Sequence, residues 1–223
     1  MKISIVIPVL DEERRIGERL AGLRGFEEVI VVDGGSRDRT VAIARGHPGV
    51  RVESAFRGRA LQMNHGARLA GGDVLLFLHA DVALPLHAAA HVERALADER
   101  VVAGAFRTWH VADGRNVPWL HLADLRSRYS RLPYGDQALF VRGRVFARMG
   151  GFAPWPLMED VDFVRRLRRE GPVHAARLAV VTSARRWERD GWVARSARNV
   201  TLFALYRMGV SPHALARWYS LRQ

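Results

Sequence analysis

Apolar positions in the first hundred residues fall into short continuous runs: ISIVIP at 3–8, EVIVVD at 28–33, VRVES at 50–54 and VLLFLH at 74–79. Between them lie longer amphipathic stretches near 11–24, 37–46, 59–70 and 86–98. Strands buried on both faces read as unbroken apolar runs, and helices of this length between them supply parallel crossovers. The pattern therefore predicts an α/β fold with a mainly parallel central sheet flanked by helices. From residue 101 the rhythm changes. VVAGAFRTW reads as a strand, 118–130 as a helix and ALFVRG as another strand. MEDVDFVRRLRREG is a helix with acids at its start, arginines at its end and Gly171-Pro172 as its stop. A last strand near 173–181 precedes a basic aromatic tail. No repeat or low-complexity linker divides the chain, so one domain is expected over 1–223.

Ligands of such sheets bind beyond the carboxyl ends of the strands. The segments that follow the strands are PVLDEE, DGGSRDRT and HAD, each carrying carboxylates or a glycine turn to one edge. DGGSRDRT has neither G-x-G-x-x-G spacing nor a Walker A lysine, and it also reads as an ordinary strand-turn-helix connection. A nucleotide held there is gripped by carboxylates, arginines and a metal. On an extended chain His79 and Asp81 point to the same side. One Mg²⁺ or Mn²⁺ could take an oxygen from Asp81 and a nitrogen from His79, and would neutralise a diphosphate leaving group. A structural histidine is the competing reading for His79. Glu159, Asp160 and Asp162 put three acids within four residues. Acids in a first helical turn are favoured by the dipole and by capping, yet three exceed what one cap needs. Arg165 or Arg166 is expected to help keep an acid at Asp160 ionised.

Composition narrows the classes. The chain has 223 residues, 48% of them hydrophobic, enough for a real core. With 35 Lys and Arg against 23 Asp and Glu it carries +12, which favours anionic partners, although Lys2 is the only lysine and codon bias can contribute. The absence of cysteine excludes disulfides and thiolate metal sites and fits a reducing cytoplasm. The first strand begins at residue 3 without a charged and apolar leader, so no signal peptide is expected. The late apolar run VTLFALYRMGV is broken by Arg207 and falls short of the roughly 20 residues that span a bilayer. The tail, with Trp192, Phe203, Tyr206, Arg207, Trp218 and Tyr219, can lie on an anionic membrane, pack on a second subunit as in a homodimer, or cover its own core. His65, His87, His91, His110, His121 and His174 are scattered without zinc-ligand spacing.

Four stretches in order, SIVIPVLDEE, VIVVDGGSRDRT, GRALQMNHGARLAGGDVLLFLHAD and GGFAPWPLMEDVDFVRRLRREG, closely resemble the family 2 glycosyltransferases of GT-A fold. The resemblance covers roughly residues 1 to 190. HAD and YGDQALFVRG look most like the radical-SAM/selenodomain-associated transferase subgroup. The resemblance implies a nucleotide-binding half over 1–100, an acceptor-binding and catalytic half over 101–190 and a tail over 191–223. It implies that Pro8, Glu12 and Asp33 hold the base, and that Arg57, Gly58, Arg59 and Gln62 lie near the ribose and diphosphate. His79, Ala80 and Asp81 take the place of the D-x-D metal motif, with His79 where the first Asp is usual. Gly34 stands where many members have a second Asp. Asp160 becomes the general base that deprotonates the acceptor hydroxyl. Glu159, Arg186 and Trp187 become acceptor-binding, with core filling as the competing reading for Trp187, and Ser183 stands where processive members have the Gln of Q-x-x-R-W. The implied activity is inverting transfer of a sugar from a nucleotide diphosphate, commonly UDP with GDP open, to a small-molecule or lipid-linked hydroxyl acceptor, with Mn²⁺ or Mg²⁺ as cofactor.

Two rival readings belong to other classes. A sugar-1-phosphate nucleotidylyltransferase has a glycine- and arginine-rich loop with a lysine after its first strand, where this chain has PVLDEERR. A basic protein binding nucleic acid or a membrane surface is suggested by the charge, but acidic strand ends would repel nucleic-acid phosphates at that face.

Overall fold

The computed structural model describes residues 1–112, 115–116, 137–184 and 191–220. The first half builds β1 (Ile3–Val9), α1 (Ile16–Ala21), β2 (Glu28–Asp33), α2 (Thr40–Arg45), β3 (Val50–Ser54), α3 (Arg59–Leu69), β4 (Val74–Phe77), β5 (Val82–Ala83) and α4 (Ala88–Ala95). Then come β6 (Ala103–Ala112), β7 (Arg115–Asn116), β8 (Phe140–Arg142), α5 (Gly143–Arg148), α6 (Glu159–Glu170), β9 (Val173–Ser183), α7 (Trp192–Arg207) and α8 (Pro212–Ser220). The helix expected over 118–130 falls outside the described residues.

All described strands join one sheet in the order β3-β2-β1-β4-β8-β6-β9-β5, with β7 on β6. β1 is parallel to β2 and β4, and β2 to β3, as the helical crossovers between the strands predict. The sheet as a whole is mixed rather than mainly parallel: β8 runs antiparallel to both β4 and β6, and β5 antiparallel to β9. A buried strand shows the same apolar run in either direction, so the pattern that reveals a strand carries no sign for its polarity.

Alternate residues of β1 feed opposite faces. Ile3, Ile5, Ile7 and Val9 pack with Ile16 and Leu20 of α1 and Val92 of α4. Val6 joins Ile30, Met63 of α3 and Phe163 and Leu167 of α6 on the other side. Fully burying a side chain such as Ile5 or Phe163 contributes about 1.5–3 kcal/mol. Gly66 lets α3 lie close, since a Cβ there would sit 2.4 Å from Val6 Cγ1 and 2.9 Å from Val32 Cγ2. Phe152 meets Phe77 edge to face and Phe163 at a tilt, with ring centroids 4.9 and 4.5 Å apart, which fixes α6 against β4.

The tail packs partly on its own protein. Leu202 and Leu215 are buried, and Arg198 stacks on the Tyr219 ring at 4.9 Å. Val193, Val200 and Met208 are exposed. Among the described residues no helix is long and apolar enough to cross a membrane.

Candidate active site

Helices α1 and α2 are shorter than the pattern predicts because the preceding residues are clipped to each other. Asp11 N–H donates to Ser36 Oγ at 2.9 Å and Arg37 N–H returns to Asp11 Oδ1 at 2.7 Å. Glu12 N–H donates to Thr40 Oγ1 at 2.7 Å, Glu13 N–H to Asp38 Oδ2 at 3.0 Å, and Arg39 N–H to Glu13 Oε2 at 3.1 Å. Carboxylates that look in sequence like a ligand set are thus largely spent on orphan backbone donors. Asp33 belongs with them. It is 5% exposed and accepts the N–H groups of Gly35 and Ser36 and the Ser36 hydroxyl.

Strand β1 then opens a cleft. Its carbonyl at Val6 accepts Leu78 N–H at 3.0 Å, so Val6, and Pro8 two residues on, face β4. Proline has no N–H to continue the ladder, and the β1–β4 pairing ends at Val6 and Phe77. The chain leaves β4 there, two residues earlier than expected, and His79 to Val82 form a turn closed by Val82 N–H to His79 O at 3.1 Å. His79 and Asp81 are therefore not neighbours on an extended strand. They still reach one place, a cleft of about 380 Å³ lined by Pro8, Glu12, Arg57, Gly58, Arg59, Gln62, His79, Ala80 and Asp81. Arg19 of α1 braces the turn through Nε to Ala80 O at 3.4 Å; burial lowers its guanidinium pKa, opposed by the nearby acids Glu18 and Asp81.

Helix α3 ties the cleft together. Gln62 is 4% exposed and its Nε2 donates to Val9 O and Val32 O, each at 2.8 Å, bolting the ends of β1 and β2. A Cβ on Gly34 would lie 3.0 Å from that amide, which gives a physical reason for glycine at this position. Asn64 exchanges hydrogen bonds with Phe152, Nδ2 to Phe152 O at 2.8 Å and Phe152 N–H to Oδ1 at 2.9 Å, securing the approach to α6.

Helix α6 begins after Met158, which holds a left-handed φ of 65° and supplies no side-chain cap. Non-glycine residues there store strain, a feature that clusters at functional sites. Glu159 is 1% exposed and its Oε1 accepts from Arg59 Nε, while Oε2 has no hydrogen-bond partner among the described residues. Burial raises the Glu159 carboxyl, the Arg59 charge pulls it back, and Asp160 adds to the rise. Asp160 is 14% exposed; Oδ1 accepts Val161 N–H at 2.8 Å and Oδ2 lies 4.0 Å from Arg59 Nη2. The expected partnership with Arg166 is different in the fold. Arg166 pairs with Asp162 at 2.7 Å and donates to the Met149 and Gly151 carbonyls, while Arg59 is a cation that lies beside Asp160.

Sequence reasoning missed the second wall. His110, Thr182, Ser183 and Arg195 line the same cleft from β6, β9 and α7. The available signal was a strand whose inward positions turn polar, from Phe106 to Thr108 and His110, all 3% exposed or less. Arg186 and Trp187 lie outside the described residues. Among those described, no group of three His, Cys, Asp or Glu side chains could hold a metal. Asp81 and His79 are a hard oxygen and one imidazole facing the cleft, a donor set that fits Mg²⁺ or Mn²⁺ when substrate phosphates complete the shell. A larger groove of about 870 Å³ includes Met1, Asp73, Arg142 and Arg144 and lies at the opposite, amino-terminal end of β1 and β4.

The sequence profile described as glycosyl transferase family 2 matches residues 4–155. A 46-residue stretch is 44% identical to the uncharacterized protein MJ1222 of Methanocaldococcus jannaschii, covering 20% of this chain and 19% of that protein. Mannosyltransferase PcManGT from Pyrobaculum calidifontis, solved with GDP-Man and Mn²⁺, aligns with a TM-score of 0.71 and 21% identity over 96% of this chain and 69% of its own. Glucosyl-3-phosphoglycerate synthase from Mycobacterium tuberculosis, solved with Mg²⁺ and UDP, aligns at 0.65 and 20% over 94% and 80%. TarS 1–349 of S. aureus, solved with UDP-GlcNAc, aligns at 0.66 and 20% over 82% of this chain, which spans 58% of that one. At these identities the likeness is one of fold, the GT-A fold of glycosyltransferases.

Proposed function

We propose, from the premise that this chain belongs to glycosyl transferase family 2, that it transfers a sugar from a nucleotide diphosphate donor to a hydroxyl acceptor with inversion. The observation that carries the reading is Arg59. It lines the cleft beside His79, Ala80 and Asp81 and also reaches Glu159 and Asp160, so one side chain joins the donor cleft to the acidic helix.

In this mechanism the nucleoside lies along Pro8 and Glu12, and Arg57, Gly58 and Arg59 face the diphosphate. Asp33 and Gln62 act by holding the loops that form this wall, through the hydrogen bonds described above. The half-buried Asp81, with His79, holds the divalent ion, which when bound neutralises charge on the departing diphosphate. Asp160 accepts the proton of the acceptor hydroxyl as its oxygen bonds to the anomeric carbon. The bond from that carbon to the phosphate oxygen breaks, and its electron pair leaves with the nucleotide diphosphate. Glu159, buried beneath Arg59, orients that guanidinium rather than meeting the acceptor. A UDP-sugar or GDP-sugar donor is in keeping with the molecules bound in the aligned structures. The finer subgroup rests on HAD and YGDQALFVRG, of which 134–136 lie outside the described residues.

The test is calorimetric titration of UDP, GDP, CDP and ADP with and without Mn²⁺, in the parent and in Asp160→Asn. One preferred base, metal-enhanced affinity, unchanged nucleotide binding in Asp160→Asn and transfer reduced by about 10²-fold or more are expected. Parental turnover by Asp160→Asn would remove the base assignment. Base-indifferent binding that vanishes with salt would favour a charge-driven binding protein.

A further inference from the structure

The second wall of the cleft holds chemistry that the donor does not account for. Thr182 is 6% exposed, and its hydroxyl has no hydrogen-bond partner among the described residues although it is buried. A buried hydroxyl without a partner loses the bonds water would give it, and a ligand oxygen restores them. Its register neighbour across the parallel ladder is His110, 3% exposed, and Ser183 pairs likewise with Val111. Ser183 N–H donates to Asp81 O at 3.2 Å, so this wall abuts the turn that carries Asp81. Arg195 of α7 lines the cleft with these three. The Arg195 cation, the Thr182 hydroxyl and the His110 imidazole, with Ser183 beside them, come from three separate elements and form a donor-rich pocket. The acids lining the cleft are Glu12, which is paired with Arg15 at 3.6 Å, and Asp81. Arginine with hydroxyl donors matches an oxyanion that can accept several bonds at once.

We propose that His110, Thr182, Ser183 and Arg195 form an anion subsite for a phosphate group carried by the hydroxyl acceptor. This rests on the glycosyl-transfer reading of the cleft. Arg57, Gly58 and Arg59 are assigned to the donor's diphosphate, and Arg195 is a further cation lining the same cleft, assigned to the acceptor. The acceptor class is then a phosphorylated hydroxyl compound, soluble or lipid-linked, rather than a neutral sugar chain.

The probe is inorganic phosphate, titrated into the full chain saturated with diamagnetic Mg²⁺ and the nucleotide diphosphate that binds best, and followed by phosphorus NMR. The parent is expected to bind phosphate saturably in the presence of nucleotide. Arg195→Gln should weaken phosphate binding about tenfold or more, and the nearly isosteric Thr182→Val by several-fold, with nucleotide affinity unchanged within about twofold in both. Equal phosphate affinity in parent and variants, or no saturable phosphate binding by the parent, overturns the proposal. A tenfold loss of nucleotide affinity in Arg195→Gln also overturns it, by assigning that arginine to the donor. If Arg195→Gln does not fold, Thr182→Val decides alone, a parental phosphate affinity then counting against the subsite. If the parent binds no nucleotide diphosphate, the glycosyl-transfer reading fails, and phosphate is titrated into the free chain. Loss of binding in both variants then supports the anion subsite without its donor, and retention in either overturns it.

Discussion

Arg59→Met tests whether one arginine holds the acidic helix to the donor cleft. The Arg59–Glu159 pair is asymmetric, with side chains 39% and 1% exposed. Removing one partner of a fully buried pair costs about 3–5 kcal/mol, whereas an exposed pair contributes about 0–1 kcal/mol. Because water already reaches the guanidinium, a loss of about 2 kcal/mol is expected at pH 8. Burial raises the Glu159 carboxyl and Arg59 opposes that rise, so deleting Arg59 raises it further. A carboxyl that binds its proton more tightly folded than unfolded contributes stability at low pH, which is lost as pH climbs through the folded value. The deficit of Arg59→Met relative to the parent should therefore shrink to about 1 kcal/mol or less at pH 5. Urea denaturation at both pH values measures it, provided the m-value is constant. Adding Glu159→Gln to Arg59→Met neutralises the stranded carboxylate and should recover about 1 kcal/mol at pH 8. A single variant within about 0.5 kcal/mol of the parent at both pH values, or a deficit that grows on acidification, would refute the coupling.

Three further outcomes are expected. Asp81→Ala should abolish most of the Mn²⁺ enhancement of nucleotide diphosphate affinity, about tenfold or more by calorimetry, with little change when metal is left out. Gln62→Leu removes a donor shared by Val9 O and Val32 O; Val9 O keeps the Gly34 N–H at 3.0 Å and Val32 O lies in the β1–β2 ladder, so the loss is that of two added hydrogen bonds rather than of an orphaned carbonyl. Chemical denaturation should show about 1–3 kcal/mol, and an unchanged midpoint would remove the bolt assignment. Gly66→Ala forces α3 away from Val6, costing about 1–3 kcal/mol of overpacking against about 1 kcal/mol of helix propensity gained. A net fall in Tm of roughly 2–6 °C is expected, and a rise would mean that the helix is not held that close.

Local physical chemistry made much of this protein legible in one dimension. Unbroken apolar runs marked β1, β2 and β4 because both faces of these strands are buried, and that requirement is written residue by residue. The order of the segments after the strands located the cleft edge, since a parallel unit must deliver its carboxyl ends to one side. The acids opening α6 were visible because a first turn carrying Glu159, Asp160 and Asp162 exceeds the needs of a cap. Strand polarity was not legible, because an apolar run such as FVR at 140–142 reads alike in both directions, and β8 and β5 proved antiparallel. Which carboxylates meet a ligand was not legible either. Asp33 accepts N–H groups of its own turn, but Asp11 and Asp38 accept theirs from segments about 25 residues away, a pairing that only the fold brings about. Arg59 stands 100 positions from Glu159, and Thr182 lies beside His110 only because β6 and β9 pair. Contacts of that range are decided by packing, in which a buried charge or hydroxyl must find its partner wherever the fold brings one.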